Sequence, residues 1–264
     1  VLLHGLASNC RIWDLVAPIM TQKYRVVAVD QRGHGKSSKP DYGYDFDSIT
    51  NDLSGFISHM GFIRPIIIGH SWGASVALEY AATYSQAISG IVLVDGGTME
   101  VSSWPNMTLA RIKSDLAPPQ FSGMTVDDLK CRFKSSWIGS TWRHEIEEIR
   151  LSNFRIDEFG LVAPHLSREN HMRIISALWN HYPSVLYPSI RCAVLLMPAI
   201  KKSDLRNEKY RPDKRNSIAT ALELLCQSRS VWLEDSIHDV PLQRPELVAF
   251  IIMEHIQNGF LGGL

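Results

Sequence analysis

A serine lies between two glycines in segment 69–73, Gly-His-Ser-Trp-Gly, directly after three isoleucines. A Gly-x-Ser-x-Gly motif that joins an apolar strand to an alanine-rich helix is typical of a nucleophile elbow, whose sharp turn exposes the serine hydroxyl. Such a turn leaves no room for side chains two residues before and after the serine, which explains the glycines. The amides that open the following helix favour negative charge beside the hydroxyl. We therefore predict that Ser71 is a nucleophile.

A serine hydroxyl is a weak nucleophile and needs a base to accept its proton. Of the ten histidines, His238 follows the last predicted strand, in a loop before a final helix. The carboxyl ends of parallel strands meet at one edge of a sheet, where Ser71 also lies, so we predict His238 as the base. His70 is inside the elbow, where its side chain cannot readily reach Ser71, and we expect a structural role for it.

The elements that must position these residues alternate along the chain. Short runs rich in valine and isoleucine are typical of strands buried on both faces of a parallel sheet, and the candidates are 1–5, 24–30, 64–70, 88–97, 191–199 and 228–235. Apolar stripes with a 3.6-residue period predict helices after Asp47, from Trp72 to Tyr84 and from Pro245. This alternation predicts an α/β fold with a doubly wound, mostly parallel sheet.

The pattern changes between residues 98 and 190. This segment holds four of the seven tryptophans and several helical patterns, and it contains no clear strand. We predict that residues 1–97 and 191–264 form the core of the fold and that 98–190 is a helical insertion. The tryptophans favour either an apolar, aromatic-lined pocket beneath it or the packing of the insertion itself, and both interpretations are open. Its ten basic and ten acidic residues give no reason to expect a strongly ionic substrate.

The composition restricts the class of protein. The 264 residues are 45% hydrophobic and 20% charged, which is ordinary for a soluble globular chain. Basic and acidic residues number 27 each, so no whole-chain field favours nucleic acid or an anionic membrane. The four cysteines form no Cys-x-x-Cys pair, and we expect reduced, mostly buried thiols rather than a disulfide framework or a zinc site. We expect a cytoplasmic protein that binds a small molecule.

Four segments together resemble the α/β-hydrolase fold superfamily. LLHGLASNCRIWD is similar to its His-Gly oxyanion loop, and VVAVDQRGHGKSS to its Asp-x-Arg-Gly-x-Gly-x-Ser segment. GHSWGAS is similar to the elbow, and HDVPLQRPELVAFII to the histidine loop with its closing helix. The order and spacing of the four matches are more specific than any one of them. The resemblance implies that residues 98–190 form the cap over the pocket and that the chain begins at the family's third strand, with the first two missing.

The resemblance also implies an oxyanion hole. Its donors would be the backbone amides of Leu6, just after His4-Gly5, and of Trp72, just after the nucleophile. Two donors aimed at the developing oxyanion usually matter as much as the base. Asp30 would shape a loop rather than take part in the chemistry.

The base needs a carboxylate on its other nitrogen, and two candidates are open. Many members of the superfamily carry an aspartate in a short Gly-x-x-Asp loop after the next-to-last strand, where this chain has no glycine and Asp204 comes about two residues late. Some members, certain haloalkane dehalogenases among them, carry the acid at an earlier strand end, where this chain has Asp95. A rigid strand terminus positions a carboxylate better than a long charged loop, so we favour Asp95.

Serine as nucleophile argues against the dehalogenases and epoxide hydrolases that use an aspartate there. It favours attack on an ester or similar carbonyl, formation of an acyl-enzyme and hydrolysis by a water that His238 activates. No metal or organic cofactor is implied. The leading hypothesis is a serine hydrolase for small apolar carboxylic esters. The alternatives are a carbon–carbon bond hydrolase or a lactonase on the same fold, or a non-catalytic protein that retains the pocket for ligand binding.

Overall fold

A computed structural model of the protein describes residues 1–135, 142–201 and 214–262. Asp204 and Trp137 lie outside these residues. The described chain contains ten strands, β1 (Leu2–Leu3), β2 (Ala28–Val29), β3 (Ile66–His70), β4 (Gly90–Val94), β5 (Phe154–Ile156), β6 (Val162–Pro164), β7 (Ala193–Met197), β8 (Ala199–Ile200), β9 (Ser228–Ser230) and β10 (Leu233–Glu234). Six of them form a parallel sheet in the order β2-β1-β3-β4-β7-β9.

Helices connect the strands. They are α1 (Ala17–Met20), α2 (Phe46–His59), α3 (Trp72–Tyr84), α4 (Leu109–Asp115), α5 (Val126–Lys134), α6 (His144–Leu151), α7 (Arg168–Trp179), α8 (Pro183–Leu186), α9 (Lys214–Leu224), α10 (Val240–Gln243) and α11 (Pro245–Gln257). Short 3₁₀ turns occupy Cys10–Trp13, Ser85–Ala87, Val101–Ser103 and Tyr187–Ser189. The predicted helices at 72 and 245 begin at Trp72 and Pro245, and the one expected after Asp47 begins at Phe46 with Asp45 as its N-cap.

Both faces of the sheet are covered, as the doubly wound prediction requires. Successive strand residues alternate between two apolar clusters. Ile67 and Ile91 pack on the face that α2, α3 and α9 cover, while their neighbours Ile68 and Val92 pack on the face that α1, α10 and α11 cover. All five residues of β4 and all five of β7 are buried, which is why these runs are apolar without alternation.

The strands are shorter than the apolar runs that predict them, and two runs are divided. The run 191–199 breaks into β7 and β8 at Pro198, which has no N–H to give to a ladder. The run 228–235 breaks into β9 and β10 beside it, since β9 pairs with β7 and β10 pairs with β8. β8 and β10 therefore pair with each other outside the main sheet.

Residues 98–190 contain α4 to α8, and they also contain strands that the sequence analysis missed. β5 and β6 form an antiparallel hairpin whose turn holds Gly160 at φ 76°. Asp157 Oδ1 accepts the backbone N–H groups of Phe159 and Leu161 within the turn. The available signal was an aspartate and a glycine three residues apart, a combination typical of turns.

The cysteines are unpaired and mostly accessible to solvent. All four cysteines are free thiols, but only Cys192 is buried, so the expectation of mostly buried thiols is wrong. Cys131 and Cys226 are exposed, and Cys10 is partly buried. In the described ranges no helix combines the length and the apolar character that crossing a membrane requires.

Candidate active site

Ser71 lies in a strained turn between β3 and α3. Its backbone has φ 55° and ψ −120°, a left-handed conformation that non-glycine residues adopt at a cost of about 1–3 kcal/mol. A Cβ added at Gly69 would lie 2.1 Å from the carbonyl oxygen of Gly73, and one added at Gly73 would lie 2.6 Å from the carbonyl oxygen of His4. Both glycines therefore permit backbone contacts that any side chain would prevent.

The two predicted oxyanion donors flank Ser71 on different elements. Trp72 is the first residue of α3, and Leu6 lines the same cavity as Ser71. A Cβ on Gly5 would lie 3.0 Å from the Cβ of Ser71, so the loop after β1 passes directly against the serine. The placement is compatible with an oxyanion hole formed by the two amides, whose role stays a prediction.

His238 contacts both of its predicted partners. Its Nε2 lies 2.9 Å from Oγ of Ser71, and its Nδ1 lies 2.7 Å from Oδ2 of Asp95. With Nδ1 protonated toward the carboxylate, Nε2 is free to accept the proton of the serine. The structure thus brings His238 together with Asp95, which precedes it by 143 residues, and with Ser71, which precedes it by 167 residues.

His70 supports the loop that carries His238. Its Nε2 donates to the carbonyl oxygen of His238 at 2.8 Å, and its ring is 4.9 Å from the ring of His238, centre to centre. Burial, assisted by the nearby charge of His238, lowers the pKa of His70 to about 4, so the ring is neutral at pH 7. His70 therefore anchors the loop that carries His238, which agrees with the structural role expected of it.

Asp95 follows β4 directly, and its side chain is only 6% exposed. Its backbone N–H donates to the carbonyl of Met197 at 3.1 Å and its φ is 44°, so the chain turns sharply at the edge of the sheet. Oδ1 accepts the N–H of Ala199 at 2.9 Å and lies 2.8 Å from Nζ of Lys214, which leaves Oδ2 for His238. Of the two candidate acids, Asp95 contacts His238, and Asp204 lies outside the described residues.

Asp95 and His238 each shift the pKa of the other. Burial raises the pKa of Asp95, but the hydrogen bonds and positive charges of His238 and Lys214 outweigh it and hold this pKa well below the ordinary 3.8. Desolvation lowers the pKa of His238, but the hydrogen bond and charge of Asp95 outweigh it, so this pKa lies above the ordinary 6.5. The carboxylate is therefore ionised, and the imidazole binds a proton more readily than it would in water.

A cavity of about 800 Å³ lies above Ser71 and His238, with walls from residues 115–133 and 150–171. Its aromatic lining consists of Phe121, Phe133 and Phe154 rather than of tryptophan. Trp104 and Trp179 instead pack with Val101, Ile112 and Ile175, and Trp142 packs with other parts of the core. The tryptophans therefore hold the insertion together, and the expectation that they line the pocket is wrong for the three described ones.

The cavity wall also carries an ion pair. Nη1 of Arg150, on α6, lies 2.8 Å from Oδ2 of Asp239, the residue after the base. The guanidinium carbon is 5.0 Å from the centre of the Phe133 ring, within range of a cation–π contact. The balanced charge of residues 98–190 conceals this group, because a count of charges carries no information on which of them face the pocket.

Sequence reasoning missed Lys214, Gly96 and the Arg150–Asp239 pair. Lys214 belongs to a charged stretch that the sequence gives no reason to distinguish from a solvated loop. Gly96 could have been found, since the pair Gly96-Gly97 follows the predicted strand end. A Cβ at Gly96 would lie 2.2 Å from the carbonyl oxygen of Ser71, so this glycine allows β4 to end against the elbow.

A parallel sheet covered on both faces, a serine on a strained strand–helix turn and a histidine–aspartate pair at the same sheet edge define the hydrolase class of this fold. The profile of the alpha/beta hydrolase fold family matches residues 1–175, and the chain belongs to that family. The YfhM protein of Bacillus subtilis (strain 168), of the AB hydrolase superfamily, is 31% identical over an alignment of 276 residues that covers 98% of this chain and 90% of that protein.

Other relatives match over shorter ranges. A 2-(acetamidomethylene)succinate hydrolase of Mesorhizobium japonicum is 34% identical over 92 residues, which cover 35% of this chain and 33% of that protein. A soluble epoxide hydrolase of Corynebacterium (strain C12) is 35% identical over 95 residues, which cover 36% of this chain and 33% of that protein. These matches span about a third of each relative. The crystal structure of an E-2-(acetamidomethylene)succinate hydrolase superposes with a TM-score of 0.79 at 20% identity, covering 97% of this chain and 90% of that one, and supports the fold.

Proposed function

We propose that this chain is a serine hydrolase that cleaves small carboxylic esters through an acyl-enzyme. The observation that carries the proposal is the continuous pair of contacts from Ser71 Oγ to His238 Nε2 and from His238 Nδ1 to Asp95 Oδ2, at 2.9 and 2.7 Å. These contacts lie at the base of a cavity large enough for a small organic substrate.

In the proposed reaction, Ser71 Oγ attacks the ester carbonyl while His238 Nε2 takes the serine proton. Asp95 stabilises the resulting imidazolium, and the amides of Leu6 and Trp72 donate to the oxyanion. Collapse of the tetrahedral intermediate breaks the bond to the alcohol oxygen, which leaves with the proton from His238. A water molecule then gives a proton to His238 and attacks the acyl carbon, and the carboxylic acid departs as Ser71 regains its proton.

The three phenylalanines of the cavity, together with Leu129 and Val162, favour an apolar acyl or alcohol group. A serine at the elbow, where an epoxide hydrolase of this fold would use a carboxylate, favours acyl transfer over epoxide opening. These features support acyl chemistry over epoxide opening and favour a substrate with an apolar group.

A second candidate is hydrolysis of an acyl substrate that itself carries a carboxylate. Arg150 on the cavity wall favours this candidate, because a guanidinium binds carboxylates in a planar, two-point geometry. One relative, named above, is a hydrolase of a substituted succinate. The competing partner of Arg150 is Asp239, and a substrate carboxylate would have to replace or share that contact.

A fluorophosphonate probe tests the proposed nucleophile directly. The wild-type protein should be labelled and Ser71→Ala should not, with Ser75→Ala, a serine one turn into the same helix, as the matched control that keeps labelling. Failure of the wild type to react would refute the serine hydrolase.

Turnover of a panel of p-nitrophenyl esters, neutral or ending in a carboxylate, then separates the two substrate classes. Preference for neutral esters supports the first candidate, and preference for acidic esters that Arg150→Met abolishes supports the second.

A further inference from the structure

Lys214, the first residue of α9, contacts the predicted acid on the side away from the base. Its Nζ lies 2.8 Å from Oδ1 of Asp95 and donates to the carbonyl oxygen of Ala199 at 2.7 Å. We propose that Lys214 is a positioning residue of the active site, which holds Asp95 so that Oδ2 faces His238 and offsets part of the charge that the carboxylate presents to the base. The inference rests on the proposed function, since it concerns the same three side chains.

The contacts form a closed arrangement. The N–H of Ala199 donates to Oδ1 of Asp95 at 2.9 Å, and the carbonyl of the same residue accepts from Lys214. Ala199 is the first residue of β8, just after Pro198 ends the main sheet. Two donors from two different elements therefore restrain Oδ1, and rotation of the carboxylate away from His238 would break both contacts at once.

The ammonium also affects the charge balance around the base. Facing His238 are Asp95 from the end of β4, Asp239 from its own loop, Lys214 from α9 and the neutral His70 from β3. Asp239, which is paired with Arg150 of α6, adds to the effect of Asp95 in raising the pKa of His238. Lys214 is the cationic partner of Asp95, and Arg150 is the cationic partner of Asp239. Lys214 lowers the pKa of His238 and so makes its imidazole a weaker base than Asp95 alone would make it.

A simple structural ion pair would stabilise the fold without changing the base, and pH dependence separates the two roles. One carboxylate separates the ammonium from the imidazole, so the charges are on the order of 7 Å apart. At that distance, removal of the cation should raise the pKa of His238 by about one unit. The base would then stay protonated to higher pH, and the acid limb of kcat/KM would move upward by the same amount.

The experiment compares pH profiles of kcat and KM for a neutral p-nitrophenyl ester that the wild type hydrolyses. Lys214→Met, which removes the charge and keeps the apolar stem, should move the acid limb up by about one unit and lower kcat roughly three- to tenfold, with KM changed less than twofold. Lys214→Arg should keep the wild-type limb. Lys130→Met, which removes a lysine paired with Glu147 on the insertion, is the matched control and should leave the profile unchanged.

Lys214→Gln is a second variant for the case that Lys214→Met does not fold, because it removes the charge and retains an N–H donor. A profile of Lys214→Met or Lys214→Gln that superimposes on the wild type, with only the unfolding temperature lowered, would overturn the positioning role. Failure of the proposed function gives a different result, since the wild type itself would then neither react with the fluorophosphonate nor hydrolyse the ester.

Discussion

Replacement of Asp95 by asparagine tests the acid of the proposed site. The carboxylate accepts from His238 through Oδ2, and from Ala199 and Lys214 through Oδ1. An asparagine has one acceptor oxygen and one NH₂ group. If the oxygen keeps the contacts to Ala199 and Lys214, the NH₂ group faces Nδ1 of His238 and donates to it. The imidazole then carries its proton on Nε2, which can no longer accept the proton of Ser71.

The size of the effect follows from that change of tautomer. In a serine–histidine–aspartate site, loss of the acid with its geometry otherwise intact lowers kcat about 10⁴-fold. This factor corresponds to about 5 kcal/mol of activation free energy. We expect Asp95→Asn to reach this loss without a large change in KM, because the substrate contacts are unchanged.

The assay is steady-state hydrolysis of a short p-nitrophenyl ester, with thermal unfolding to show that the variant is folded. Asp204→Asn is the matched control and should retain wild-type kcat/KM, since Asp95 already occupies Nδ1 of His238 at 2.7 Å. A hundredfold loss in Asp204→Asn, combined with a loss smaller than tenfold in Asp95→Asn, would refute the assignment of Asp95.

Three further predictions concern pH and backbone packing. Because Asp95 holds the pKa of His238 above 6.5 and only the neutral imidazole accepts a proton, kcat/KM should rise with pH through a midpoint above 6.5, and a midpoint below that value contradicts the pairing. The depressed pKa of Asp95 should contribute stability above pH 3.8 that is lost at lower pH, measured as a steeper fall in the unfolding free energy of wild type than of Asp95→Asn. Gly96→Ala would place a Cβ 2.2 Å from the carbonyl oxygen of Ser71 and should cost about 2 kcal/mol or more in urea unfolding, together with most of the activity. Gly55→Ala, whose Cβ has no atom within 4 Å, should instead add about 0.5–1 kcal/mol and leave kcat/KM unchanged, and equal behaviour of the two variants would contradict the steric reason.

The parts of the fold that local patterns control were accessible from the sequence. Strands buried on both faces leave continuous apolar runs, and their alternation with helical stripes requires crossovers over a parallel sheet. The pattern of apolar residues did not show where β7 ends, because apolar residues continue on both sides of Pro198. The hairpin of β5 and β6 was missed because each strand has only three residues, too few to show a period.

The sequence by itself determined Ser71 as a candidate, since the requirements of an elbow are local: two glycines, an entering strand and a departing helix. It determined His238 because this residue follows the last predicted strand, and the carboxyl ends of parallel strands meet at one edge of the sheet. It could not decide between Asp95 and Asp204, because an acid needs only to reach Nδ1 of His238 through space, and either position in the chain permits that. The tertiary structure places Asp95 there at 2.7 Å and adds Lys214 behind it. It also places Arg150 on the cavity wall beside Asp239. Charge partners of this kind depend on distances between elements that are remote along the chain, and no local pattern encodes those distances.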